Sequence, residues 1–168
     1  MSWLMILIEA VAFLGLFTAM VMIPTIKNPV LGVHNYPPEI QEAYFKNHPR
    51  IETAPLSKRT ILIKSAGIVM FAVVLTAGAL LAGADSFGDG FGFAVLLFVA
   101  VGAYDTFFLD WVLFARLKVF RLPGTEHMDK EYAQKWFHVK GMLFPGSFFA
   151  LIIGLLVGAA VAVITGGV

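Results

Sequence analysis

Three carboxylic acids stand inside stretches that are otherwise apolar: Glu9 in "MILIEAVAFLG", and Asp105 and Asp110 in "GAYDTFFLDWVLFAR". A lysine, Lys64, interrupts a third stretch, "TILIKSAGIVMF". An ionisable group in hydrocarbon costs about 3 kcal/mol or more unless it faces protein, a partner charge or water. Groups retained there are either satisfied polar contacts or parts of a proton or cation path. With about 1.5 Å of rise per residue and Arg116 at the inner edge, Asp110 lies about 9 Å deep and Asp105 about 16 Å deep. Lys64 comes out roughly 6 Å deep on the same side, its stem free to lean toward the interface. These depths predict an ion pair between Lys64 and Asp110. In an α-helix Asp105 would point about 140° away from Asp110 and find no cation at its own depth. Glu9 enters from the opposite edge, with Ala12, Leu16 and Ala19 on its face, a stripe suited to packing inward. Glu9, Asp105 and Asp110 together read either as a stepped relay or as three separate contacts.

A second set of chemistry-bearing residues lies outside the apolar runs. All four histidines, His34, His48, His127 and His138, are there. If "TEHMDKEYAQKWFHVKG" forms one helix, His127, Glu131, Gln134 and His138 share a face. Arg and Lys recognise anionic head groups, and His or Glu can act as acid or base. Asp110, Arg116, Glu126, His127 and His138 therefore form the candidate set for an enzyme working on a lipid or amphiphile. Metal ligation would draw on the same imidazoles with Glu39, Glu42 or Asp129. However, His127 and His138 would sit about 16 Å apart on a straight helix. No H-E-x-x-H spacing occurs, so no metal is expected and no cofactor is indicated. The glycines of "GDGFGFA" follow no strand and make no nucleotide fingerprint.

The elements that must carry these groups follow from composition. The chain has 168 residues, 59% hydrophobic and 14% charged, with mean hydropathy +0.84. Soluble domains run at about 45–50% apolar and about 25% charged, so the balance is that of a membrane protein. A net charge of +1 leaves no nucleic-acid footprint. The absence of cysteine excludes disulfides, thiolate metal sites and cysteine nucleophiles. Four apolar runs, at 3–24, 61–84, 91–115 and 142–164, are each near the roughly 20 residues that cross a bilayer core. The first lacks a basic leader and is too long for a signal-peptide core, so it reads as a retained span. The expected fold is an all-α integral membrane protein. Its single four-span domain, 1–168, would be a four-helix bundle with short amphipathic helices in two loops.

Loop 25–60 carries Lys27, Lys46, Arg50, Lys58 and Arg59, and loop 116–141 carries Arg116, Lys118, Arg121, Lys130, Lys135 and Lys140. The short connection between them in the chain has only Asp85 and Asp89. The positive-inside rule then puts both long loops in the cytoplasm and both termini outside a plasma or inner membrane. Gly154, Gly158, Ala162 and Gly166 recur every four residues, a small-residue stripe for close helix contact within the bundle or in a homodimer. Glycines at 88–92 suggest the outer turn. In the first loop, Pro37 and Pro38 precede an amphipathic stretch with Ile40, Tyr44 and Phe45. In the third, Thr125 reads as an N-cap, Glu126 and Asp129 suit the first helical turn, and Lys135 and Lys140 suit its end. Met128, Tyr132, Trp136 and Val139 then form one face lying in the membrane interface.

Three functions are compatible with these residues. The first is transport or channel activity through intramembrane carboxyls for a proton, cation or small polar solute, in a homo-oligomer. The second is an enzyme at the cytoplasmic membrane face. The third is an accessory subunit of a larger membrane complex. Membrane lipid is the expected partner in each, and nucleic acid in none.

Overall fold

The structure, a computed structural model, describes residues 1–51 and 57–167, and these are all-helical. The part of loop 25–60 at 52–56 lies outside the described residues, as does residue 168. Four helical stretches are long and apolar enough to cross a membrane: Trp3–Lys27, Lys58–Leu81, Phe87–Phe114 and Asp129–Thr165. They comprise α1 (Trp3–Lys27), α3 (Lys58–Leu81), α4 (Phe87–Tyr104, prolonged by a π-helical segment Asp105–Phe114) and α7 (Ser147–Thr165). The fourth stretch is interrupted. Phe144 is extended (φ −146°, ψ 121°), as the residue before Pro145 must be, so α7 begins at Ser147 rather than at 142.

The chain folds as two compact units, one built from Met1–Ala12, Glu52–Val101 and Pro145–Val168, the other from Phe13–Ile51 and Gly102–Phe144. In the first, Ser57 caps α3 by accepting the Thr60 N–H at 3.1 Å. The helix ends in a left-handed Gly83 (φ +86°), with Ala84 N–H donating to Ala79 O and Gly83 N–H to Leu80 O. That is the double bond of a glycine-terminated helix. Ser86 then accepts the Asp89 N–H at 3.3 Å to start α4. The turn therefore lies at 82–86, not at 88–92. The later glycines belong to α4, where a Cβ at Gly90 would fall 2.8 Å from Val161 Cγ2 of α7. The small-residue stripe of α7 meets the same helix. A Cβ at Gly154 would lie 2.7 Å from Val95 Cγ2, and one at Gly158 would lie 2.8 Å from the Phe87 carbonyl oxygen. Ala162 is half-buried, whereas Gly166 leaves the stripe and terminates the helix at φ +70°.

The second unit is formed largely by the two long loops. Asn28 accepts the Val30 N–H and opens a 3-10 turn, Pro29–Asn35, followed by α2 (Pro38–Phe45). Val33, Tyr36, Ile40 and Tyr44 from this loop pack with Leu122 and Tyr132 from the other into one core. Tyr132 directs the local backbone. Its hydroxyl accepts the Leu122 N–H at 2.9 Å and bonds Thr125 at 2.7 Å. Thr125 is buried and donates to Leu122 O, so it caps no helix. With Tyr132 held inward, the expected continuous helix breaks at Ala133 and Gln134 into α5 (Asp129–Tyr132) and α6 (Lys135–Gly141). Tyr132 is 4% exposed and Trp136 75%, so they do not share a face.

The Tyr36 hydroxyl donates to Phe120 O at 2.8 Å inside this core. Burial, reinforced by Tyr132 and opposed by Arg121, raises its pKa well above the ordinary 10.0. The buried phenol stays neutral at a pH where an unfolded one ionises. Its contribution to stability is therefore intact below pH 10.0 and declines as pH rises above that value. Alkaline titration followed by phenolate absorbance should show this unit losing structure only above that range. Tyr36→Phe should cost about 1 kcal/mol at neutral pH, from the unpaired Phe120 carbonyl, and should weaken the alkaline response.

Candidate functional site

The π-helical segment changes how its two aspartates relate. An i→i+5 hydrogen bond brings the fifth residue over the first, and Ala115 N–H bonds Asp110 O in this way. Asp105 and Asp110 are therefore on one face; the wide angle expected of an α-helix does not apply. Asp110 takes His138 of α6 as its partner, not Lys64: Oδ2 lies 2.8 Å from Nδ1, with the two side chains 17% and 15% exposed. Asp105, half-buried, lies within electrostatic range of both Asp110 and His138. Its carboxyl makes no hydrogen bond among the described residues.

Neighbouring contacts fix the segment at both ends. The Thr18 hydroxyl donates to Leu14 O at 2.7 Å, which leaves Tyr104 as the donor in the 2.9 Å bond to Thr18. This pins the residue before Asp105 to α1. Trp111 Nε1 donates to Lys135 O at 3.3 Å, and Lys135 Nζ sits 4.9 Å over the Trp111 ring. At the far end, Arg121 Nη2 donates to Ala115 O at 2.9 Å, a cation satisfying a terminal helix carbonyl.

Arg121 was counted in the sequence only among basic loop residues, yet its side chain is 2% exposed. Its Cζ lies 3.8 Å over the Tyr132 ring, and Nη2 also bonds Asp129 at 3.0 Å. Asp129 is 76% exposed, so that ion pair contributes little. The packing and the Ala115 bond carry the weight. Arg121→Ala should destabilise the unit by about 3 kcal/mol, while Asp129→Ala should fall within about 1 kcal/mol of wild type. Chemical denaturation of the two variants checks this.

The other sequence candidates are dispersed. Glu9 belongs to the first unit, where its Oε2 is buried without a hydrogen-bond partner, 3.1 Å from the position of a Cβ on Gly78. Leu16 is 66% exposed, so the stripe expected to pack inward with Glu9 points outward there. Lys64 and Arg116 are exposed. Glu126 accepts the Gly124 N–H at 3.1 Å, and its own backbone N–H, with the Gly124 N–H second, holds the carboxyl below the usual range. His127 and Glu131 line an open cleft of about 560 Å³ with Lys46, Asp129 and Lys130, and the helix break separates them from His138. No cluster of three or more metal-ligating side chains occurs among the described residues. The structure thus gathers Asp105, Asp110 and His138, and leaves Glu9, Lys64, Arg116, Glu126, His127 and Glu131 outside that group.

No protein-family model matches the chain, no curated protein is significantly similar to it, and no solved structure matches it significantly.

Proposed function

We infer that the protein is a small membrane transporter or channel-type protein in which Asp105, Asp110 and His138 form a proton- or cation-handling site. The observation that carries this reading is the 2.8 Å Asp110–His138 pair on a π-helical turn that brings Asp105 onto the same face. Titratable groups inside an apolar span mark ion and proton pathways, and π-helical turns recur at functional sites. A carboxylate and an imidazole at hydrogen-bond distance can share a proton and pass it on. Asp105 supplies a second acceptor on the same face. In this reading the four apolar helices cross the membrane, the basic loops face the cytoplasm and the termini lie outside.

One observation favours a membrane-face enzyme instead. Asp110 holds His138 through Nδ1, which leaves Nε2 as an acid or base for a lipid or amphiphile. Reconstitution separates the two readings. Vesicles containing the protein should dissipate an imposed pH gradient faster than empty ones, without chemical change to the lipid. Lipid turnover with an intact gradient would favour the enzyme.

Orientation is tested separately in this cysteine-free chain. Single cysteines at positions 46 and 130 should react with an impermeant reagent from the cytoplasmic side, and one at 87 only from outside. Cytoplasmic labelling at 87 would reverse the assigned orientation.

A further inference from the structure

The open cleft lined by Lys46, His127, Asp129, Lys130 and Glu131 takes no part in the proton-handling reading, yet its walls are well fixed. Lys46 follows directly on α2, whose Ile40 and Tyr44 are buried in the core shared by the two loops. Residues 127–131 run between Thr125 and Tyr132, which are buried and bonded to each other at 2.7 Å. The volume of about 560 Å³ is that of a small-molecule site. Asp129 joins the cleft to a buried cation. The Arg121 side chain is 2% exposed, and Nη2 makes both of its hydrogen bonds, to Ala115 O at 2.9 Å and to Asp129 Oδ1 at 3.0 Å. Nε and Nη1 are buried with no hydrogen-bond partner among the described residues. A buried guanidinium needs acceptors for its N–H groups and a compensating charge. Asp129 compensates it weakly, because a carboxylate 76% exposed is screened by solvent and can turn away at little cost. With Asp129 committed to Arg121, Glu131 is the acid left to face Lys46, Lys130 and His127 in the cleft. The balance favours an anion.

We propose that this cleft binds a phosphate group, carried by an anionic phospholipid or by a small soluble phosphate, with Asp129 as the built-in anion that the ligand displaces from Arg121. Phosphate oxygens accept from the Lys46 and Lys130 ammoniums and from the His127 imidazole. One oxygen takes the place of the Asp129 carboxylate at Nη2. The exchange gives the guanidinium a partner with more acceptor oxygens, in the geometry that arginine recognises best. Lys46 comes from one long loop and His127 and Lys130 from the other, so the ligand bridges the two loops over the core they already share. The site is independent of Asp110 and His138, and it stands whether or not that pair carries protons.

The test uses the full chain in detergent micelles with two probes. Inorganic phosphate is titrated and followed by broadening of its phosphorus resonance. Phosphatidylglycerol and phosphatidylcholine are offered in equal amounts, and the lipid retained is read by native mass spectrometry. The wild type should broaden the phosphate signal, retain phosphatidylglycerol over phosphatidylcholine, or do both. Phosphate alone assigns a soluble ligand, and phosphatidylglycerol alone a lipid headgroup. Lys46→Gln combined with Lys130→Gln, at two exposed positions, should weaken the binding about tenfold or more. Asp129→Asn keeps the shape and removes the competing charge, so it should tighten binding by about threefold, a gain that no folding defect can imitate. Lys140→Gln, exposed and outside the cleft, should bind as the wild type does. Neither probe binding, a loss in Lys140→Gln equal to that in the double variant, or no tightening in Asp129→Asn overturns the proposal.

Discussion

Gly158→Ala should destabilise the first unit by about 2–3 kcal/mol, a large effect for one added methyl group. The Cβ would arrive 2.8 Å from the Phe87 carbonyl oxygen and 3.0–3.1 Å from the Phe87 ring. A backbone oxygen in the first turn of α4 cannot rotate away, so α4 and α7 must separate. Separation would also loosen the Gly154 contacts with Val95 and Phe91. Contacts built on small residues depend on close backbone approach, so a forced gap has little to offset it. Gly92→Ala is the matched control, because nothing lies within 4 Å of its added Cβ. That change should be neutral or stabilising by up to about 1 kcal/mol through helix propensity. Unfolding of both variants in detergent, followed by circular dichroism, measures the difference. Equal stability would mean that α4 and α7 do not meet at Gly158.

The apolar spans were legible because length and composition alone determine which helices are long enough to cross a bilayer. Their junctions were less so. Glycine serves both turns and close helix contacts, and the run at 88–92 suggested the first role, whereas Gly90 serves the second. Gly83 was the residue in the left-handed conformation. At the site, Asp105 and Asp110 stand out by type within an apolar run, but the angle between them depends on helix geometry, and α-helical spacing sets them wrongly apart. Nothing in "DTFFLDWVLF" announces the switch to π-helical bonding.

The partner of Asp110 was misassigned for a related reason. Depth along straight helices placed Lys64 near it, but the break after Tyr132 directs α6 back onto the π-helical segment and delivers His138. The shared core of the loops is hidden because Tyr44 and Tyr132 each read as part of an amphipathic stretch within a separate loop, and Tyr36 carries no periodic signal at all. Tertiary pairing between distant loops leaves no periodic trace. Arg121 was obscured by its type, since an arginine in a basic loop normally indicates solvent, and only the Tyr132 ring beneath it shows otherwise.

The most direct test of the proton-handling site is flux in reconstituted vesicles for wild type, Asp110→Asn and Asp105→Asn. Asparagine preserves the shape and hydrogen-bonding capacity of each carboxyl and removes its proton. Asp110 accepts the bond from His138, and Asp105 shares its helical face. Both variants should therefore fold, keeping wild-type helicity and thermal stability within about 1 kcal/mol. Flux driven by a pH gradient should fall on the order of a hundredfold in Asp110→Asn, the scale on which a positioned proton-transfer group acts. Asp105→Asn should lose flux as well, and the double variant should be no worse than the weaker single one, because groups acting as a unit are not additive. Arg116→Gln, at an exposed position outside the group, should retain wild-type flux. Wild-type flux in a well-folded Asp110→Asn protein would contradict the account, since it would show that protons cross without the carboxyl that His138 holds.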